Sequence, residues 1–412
     1  MRAGRTLLLA VDGLATEDAA PLREAARVPA TAGELTVRPG GPSEPAPALA
    51  SVLTGTTVAR THVASEMPFL PGAPGAVSAW YASALTAPTL LDAAEGEGAA
   101  TAALQWPATA GAGVSLCLPL VEDVRHYRNR WEMTESTSSP RMVAEHLAPR
   151  REAGVQLSQV PPDALVAEIA AEVLTRSPVG LAAVRLTGLA RARREDGIGS
   201  PAVRRALADL LDAVAQIAAA FGAGPDDRTV LVPGRPLVPT VLLVHPNTAL
   251  AARGLIRTDG PRLASFRALV WPDGPRGALH VRREEGEAVR RLALDVLGEL
   301  AEHHHLTLRE VDDGVGATGQ TDVIAVLEGA PGTVVGLSPT NRPLVDGDDP
   351  YYAGPRAVTD PSAVSTALLV GPGLPASPVE GSWADLGATL AAALDLPLPA
   401  ATGRALRSPA PA

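Results

Sequence analysis

Asp12 closes the apolar run Thr6 to Leu14, TLLLAVDGL, and an acidic side chain in that position can do chemistry. A short apolar run that ends in a turn signal reads as a buried parallel strand, with Asp12 at its carboxyl end. Open α/β sheets keep their ligand sites there, and a carboxylate at such a site serves as metal ligand, general acid or general base. The plainer alternative is a turn, because Asp-Gly is an ordinary turn pair. A second polar group stands at Arg125, His126, Tyr127, Arg128, Arg130 and Trp131, within the irregular stretch Trp106 to Gln159. His126 is the histidine best placed for acid–base work, since a loop that gathers polar and aromatic side chains can line a pocket.

The remaining reactive residue types have simpler readings. His245 and His280 stand alone on apolar runs and read as core or edge residues. His303 to His305 cannot all face one ion, and favourable charge at a helix C-terminus accounts for them. Asp346, Asp348 and Asp349 in LVDGDDPYY read as a solvated acidic turn rather than a calcium loop. Arg191, Arg193 and Arg194 with Glu195 and Asp196 read as a solvated charged loop.

Strands alternating with helices must position these groups. Helix patterns follow at Glu17 to Arg27, from the Pro-x-Pro entry of GGPSEPAPALASVLTG to Gly55, and at Thr89 to Gly98. Further helices read at Pro161 to Arg176, at Ser200 to Phe221 behind a Ser-Pro cap, and at Trp383 to Asp395. Strands fall at Gly33 to Val37, Ala99 to Gln105, Gly180 to Leu186, Arg228 to Val232, Thr321 to Glu328 and Ser365 to Gly371. This order predicts an α/β protein whose mostly parallel sheet is sandwiched by helices. The elements between Leu255 and Gly319 read as a small αβ cap insert, which assigns 1–254 and 320–412 to the core and 255–319 to the cap.

Composition bounds the function classes. Of 412 residues 46% are hydrophobic and 19% charged, as in a globular protein, and with only 3% aromatic the core must be built mainly from Ala, Val and Leu. A net charge of -10 without a basic patch argues against nucleic acid or an anionic membrane surface as partner. No apolar run reaches the roughly 18 residues that span a bilayer, and the apolar start is too short and too soon acidic for a signal peptide. Cys117 is the single cysteine, so no internal disulfide forms, and the expected compartment is the cytoplasm. Lysine is absent, which makes arginine the only long basic residue.

Taken in order, several words resemble the nucleotide pyrophosphatase/phosphodiesterase branch of the alkaline phosphatase superfamily. They are LLLAVDGL, PALASVLTGTTVARTH, LTGLARARREDGIGSPAVRRALADLLDAV, TVLVPGRPLVP, HPNTALAARGLI, ALLVGPGL and DLGATLAAALDLPLPAATGRAL, and they span nearly the whole chain. The resemblance implies a two-metal site, usually zinc, with a threonine or serine nucleophile. The metals would activate that nucleophile and neutralise the phosphoryl oxygens.

Residue by residue, only Asp12 keeps the family pattern. The nucleophile position, nine before Thr54, holds Pro45, which has no hydroxyl, and Ser43 could replace it only through a re-threaded loop. The Asp-x-x-x-His pair falls on Ala190 and Arg194, the Asp-His-Gly word on Gly234, Arg235 and Pro236, and the last ligand histidine on Arg356. His62 matches a histidine that is usually structural. Each replacement lies one base from the family codon, as expected of a released catalytic site.

The reading that follows is a degenerate phosphodiesterase-like protein, a pseudoenzyme without the bimetal site and without a cofactor. In its sharper form Arg194, Arg235 and Arg356 bind an anionic small molecule in place of the metals; in its plainer form the arginines are drift, and a surface serves a protein partner. Two alternatives stay open. One is an enzyme with metal-independent chemistry at Asp12, Ser43 or His126. The other is a zinc phosphodiesterase whose ligands are other residues. The sequence leaves ligand, pathway and oligomeric state undetermined.

Overall fold

The computed structural model describes residues 4–408, apart from 40, 41, 43, 44, 68, 70–78, 124–126, 159 and 312–315. Thr6–Val11 forms β1, buried along its whole length. It lies inside an eight-stranded sheet with β2 (Gly33–Val37), β3 (Ala100–Leu104), β4 (Leu116–Leu118), β5 (Val179–Leu186) and β6 (Arg228–Pro233). The strand order is Val379–Gly381, β2, Ser365–Val370, β6, β1, β5, β3, β4. Ser365–Val370 runs antiparallel to both its neighbours, and the other pairings are parallel.

Both faces of this sheet are covered, which is why β1 is a continuous apolar run and not an alternating one. Leu7, Leu9 and Val11 join a layer with Val166, Ile169, Val173, Leu210, Val214 and Ile217, from the helices Asp163–Arg176 and Pro201–Phe221. Leu8 and Ala10 point the other way, into a layer with Leu49, Val52, Leu53, Leu90, Leu386 and Leu390. Those residues belong to the helices Pro45–Thr54, Leu90–Gly96 and Trp383–Leu394. Small and branched side chains fill both layers, as the low aromatic content requires.

Local signals set the helix ends. The Ser200 hydroxyl accepts the Val203 N–H at 3.2 Å, proline occupies the first turn, and Gly222 ends the helix in the left-handed region at φ 53°. Gly55 closes Pro45–Thr54 at φ 62°, where a Cβ would stand 2.8 Å from a Leu398 methyl.

A second unit lies between β6 and the Ser365–Val370 strand. Its four-stranded antiparallel sheet has the order Ala268–Asp273, Arg276–Arg282, Thr321–Glu328, Thr307–Glu310, and the helix Glu287–His304 packs on it. The strands Leu242–Val244, Thr333–Val335 and Leu344–Asp346 form a small sheet beside it, and Val244 and Val335 share its apolar core. Thr321–Glu328 is thus a strand of this unit, not of the large sheet, and the unit runs past Gly319. The reason is visible in its burial: Thr321, Val323, Ala325 and Leu327 are buried while the residues between them are half-exposed, the alternation of a sheet covered on one face.

His280 is buried in this unit, 4.5 Å from the Phe69 ring, with Nδ1 3.2 Å from the Thr321 hydroxyl. Burial holds its pKa down to about 3. An unfolded chain would take up the proton near pH 6.5, so His280 contributes stability that is complete above about pH 6.5 and is lost as pH falls toward 3. The loss is of order 5 kcal/mol across that window. His280→Leu is expected to flatten this part of the stability profile, checked by urea denaturation at pH 7 and pH 4.5; an unchanged slope between the two would contradict it.

Candidate functional site

Asp12 follows β1 directly, and its N–H donates to the Leu186 carbonyl at 3.0 Å, so its backbone is fixed by the sheet. Strand alternation sends its side chain toward the layer of the Pro45–Thr54 helix. Arg185, opposite Ala10 in the β1–β5 register, points to the same side. Its Nε and one terminal nitrogen donate to Asp12 Oδ2 at 2.9 and 2.7 Å, and that terminal nitrogen also reaches Glu66 Oε1 at 2.5 Å. The Asp12 and Arg185 side chains are each only 4% exposed, so this is a desolvated ion pair.

The charges are set by opposing effects. Burial raises the Asp12 carboxyl above the ordinary carboxylate range, and the adjacent guanidinium opposes that rise. Burial likewise disfavours the charge on Arg185, but Asp12 and Glu66 more than offset it, so Arg185 holds its proton more tightly than a free guanidinium. Asp163 is also raised by burial, and its carboxylate accepts the Thr187 and Gly188 N–H groups where the next helix begins.

Ala190, Gly234 and Pro45, the positions that the sequence resemblance singles out, lie close to Asp12 or Gly13. Gly13, at φ 77°, passes so close to Ala190 that a Cβ on the glycine would stand 2.5 Å from the Ala190 Cα. The Gly234 N–H donates to the Val11 carbonyl at 2.8 Å, and a Cβ on Gly234 would lie 3.2 Å from the Asp12 Cα. Pro45 opens its helix against the same point: Asp12, Pro45, Gly234, Arg235 and Trp383 line a cavity of about 80 Å³.

The three arginines stand in different surroundings, with Arg194 close enough to Asp12 for its charge to act on that carboxyl and Arg235 in the cavity that Asp12 lines. Arg356 is exposed and stacks on Tyr352 at 5.2 Å, while its backbone N–H donates to the Arg194 carbonyl at 2.6 Å. Arg235 lines the small cavity and also feels the charges of Arg276, Asp273, Glu328 and Asp360. Arg194 faces a separate, larger groove. The charged word after Leu186 is not a solvated loop, as its composition implied. It is the helix Gly188–Asp196, and Arg193 is buried within it, donating to the Gly13 carbonyl and to Asp18 Oδ2 at 2.8 Å. The cause is the strand-to-helix turn at Gly13, whose carbonyl needs a donor once it is buried.

Ser43 and His126 lie outside the described residues. His62 is exposed in the left-handed conformation that ends a short helix. His245 is buried with Nε2 3.3 Å from the Asn341 amide, and desolvation lowers its pKa. His303 Nδ1 meets the Glu299 carbonyl at 2.6 Å and His305 ends its helix in the left-handed region. Asp349 accepts from Arg342 at 2.8 Å and from the Tyr351 N–H at 2.7 Å.

The donor set does not fit a pair of zinc ions. Zinc sites take three or four His, Cys or carboxylate ligands. Here Asp12 is surrounded by Pro45, Ala190, Gly234 and a guanidinium, and the other nearby carboxylates are engaged with Arg185 or with backbone N–H groups. Among the described residues no group of three or more His, Cys, Asp or Glu is arranged to hold a metal. Sequence reasoning missed Arg185 and Glu66. The signal for Arg185 was present, an arginine near the end of the apolar strand VGLAAVRL, which demands a counter-charge.

No protein-family model and no curated protein matches the sequence. The structure is similar to murine ectonucleotide pyrophosphatase/phosphodiesterase 5, with a TM-score of 0.60, 12% identity, and 98% of this chain covering 97% of that one. It is also similar to the human protein of the same name, with a TM-score of 0.59, 12% identity and 95% of each chain covered. An inactive form of the murine protein in complex with AMP aligns equally well, with a TM-score of 0.60 and 12% identity over 99% of this chain and 97% of that one. The chain therefore has the fold of the nucleotide pyrophosphatase/phosphodiesterase branch of the alkaline phosphatase superfamily.

Proposed function

We propose that this chain is a metal-free protein on a phosphodiesterase fold, which binds an anionic small molecule and does not catalyse metal-dependent phosphoryl transfer. The observation that carries this reading is the Asp12–Arg185–Glu66 cluster. Arg185 brings a permanent positive charge to the one acidic residue that keeps the family pattern, so Asp12 has its counter-ion within the chain. A zinc ion at Asp12 would be repelled by that guanidinium and would find no histidine beside it. Pro45 offers no hydroxyl to attack phosphorus.

Among the described residues no helix is long and apolar enough to cross a membrane. With one buried cysteine, the cytoplasm is the compartment this reading assigns. The reading is tested by turnover of bis(p-nitrophenyl) phosphate with excess zinc between pH 7 and 9. No protein-dependent release of nitrophenol is expected. Release that Asp12→Asn abolishes would overturn the reading.

A further inference from the structure

The groove that Arg194 faces has a volume of about 520 Å³, the size range of small-molecule sites. Ser65, Glu66 and Arg194 line it from the core side, and Trp271, Val335 and Leu337 from the second unit. The Trp271 ring is held in place: its Nε1 donates to the Met67 carbonyl at 2.8 Å and Phe69 packs against it at 5.0 Å. The apolar wall is therefore preformed rather than collapsed onto the charged one.

Two groups in this groove lack partners. The Arg194 guanidinium makes no ion pair or hydrogen bond among the described residues, although the other arginines close to Asp12, Arg185 and Arg193, are both bonded to carboxylates. Ser65 is only 6% exposed, and its hydroxyl has no hydrogen-bond partner among the described residues. The Ser65 hydroxyl oxygen is itself closed off from the groove, so the group that a ligand can reach is the half-buried Arg194 guanidinium.

From this geometry we propose that the groove binds a small organic monocarboxylate with an aromatic or branched aliphatic body. Arg194 takes the carboxylate in a two-point contact, and Trp271, Val335 and Leu337 cover the apolar part. Charge decides between carboxylate and phosphate. Asp12 and Glu66 are both engaged by Arg185, so Arg194 offers one positive charge, enough for a monoanion and not for a dianion, and Glu66 on the groove wall repels a second negative charge. The inference rests on the metal-free reading above, because a bound metal pair would draw a phosphoryl group instead.

The test is isothermal titration of the full chain with 2-naphthoate, 2-naphthyl phosphate and the neutral 2-naphthalenemethanol, with and without zinc. Naphthoate is expected to bind one per chain without zinc and more tightly than the other two. Arg194→Gln is expected to weaken naphthoate about 10–100-fold while changing the alcohol little, the loss of one charge-assisted contact. Leu337→Glu, at a half-exposed position, is expected to weaken naphthoate by a similar factor with the fold intact by circular dichroism. No saturable binding of naphthoate, indole-3-acetate or 4-phenylbutyrate at millimolar concentration overturns the proposal, as does unchanged naphthoate affinity in Arg194→Gln. Tighter phosphate binding without zinc overturns the carboxylate assignment alone. Phosphate binding that appears only with zinc overturns the metal-free reading as well.

Discussion

Arg185→Met is expected to destabilise the protein by about 3–5 kcal/mol, the cost of leaving a buried charge without its partner. Arg185 is the counter-ion of Asp12 in a site where neither side chain reaches water, and methionine fills the volume without supplying charge. Glu66 is 25% exposed and can recover some hydration, so the penalty falls mainly on Asp12. The double variant Asp12→Leu, Arg185→Met should regain most of the loss, because a well-packed apolar pair often matches a buried ion pair. The pH dependence has a definite sign. Burial already raises Asp12 above its ordinary value, and without the guanidinium the neutral carboxyl is favoured further. Its ionisation then costs stability as pH rises through the folded value, so the deficit of Arg185→Met should shrink on acidification. Urea denaturation at pH 7 and pH 5 measures both effects, and a loss under about 1 kcal/mol at pH 7 would show that the protein does not depend on this ion pair.

The second large effect is expected at Gly234, where an aspartate, the residue that the sequence resemblance implies there, should harm this protein. A Cβ at Gly234 would stand 3.4 Å from Asp12 Oδ1, close but not clashing, so Gly234→Ala should cost about 1 kcal/mol or less. Gly234→Asp adds a second carboxylate beside a desolvated one, and with a single guanidinium to share it should cost about 2–4 kcal/mol more than the alanine variant. Excess zinc should not return that loss, because Arg185 still occupies the charge position. Thermal melts of both variants with and without zinc separate the outcomes. A zinc-dependent gain in Gly234→Asp large enough to erase the difference from Gly234→Ala would mean that the site remains a metal site one substitution away.

Much of the fold was legible because its signals are local. The run TLLLAV, the Ser200 cap and Gly222, and the proline entry to Pro45–Thr54 each fix an element through short-range chemistry. Thr321–Glu328 was placed in the wrong sheet because a strand's partner is set by pairing across 45 or so residues, which no local pattern encodes. The mostly parallel sheet with helices on both faces followed from the alternation of strands and helices. The Arg185–Asp12–Glu66 cluster did not, since it depends on which face of β5 meets which face of β1. Arg193 shows the same limit: its charge suggested solvent, yet a buried carbonyl and Asp18 claimed it.

On the proposed reading, the charge that Arg185 brings to Asp12 excludes a metal there. Zinc content after equilibrium dialysis against excess zinc, followed by exhaustive dialysis against buffer and with the fold checked by circular dichroism, tests that claim most directly. The expected result is a folded protein that retains no zinc. Two zinc ions held per chain, and lost on Asp12→Asn, would contradict it.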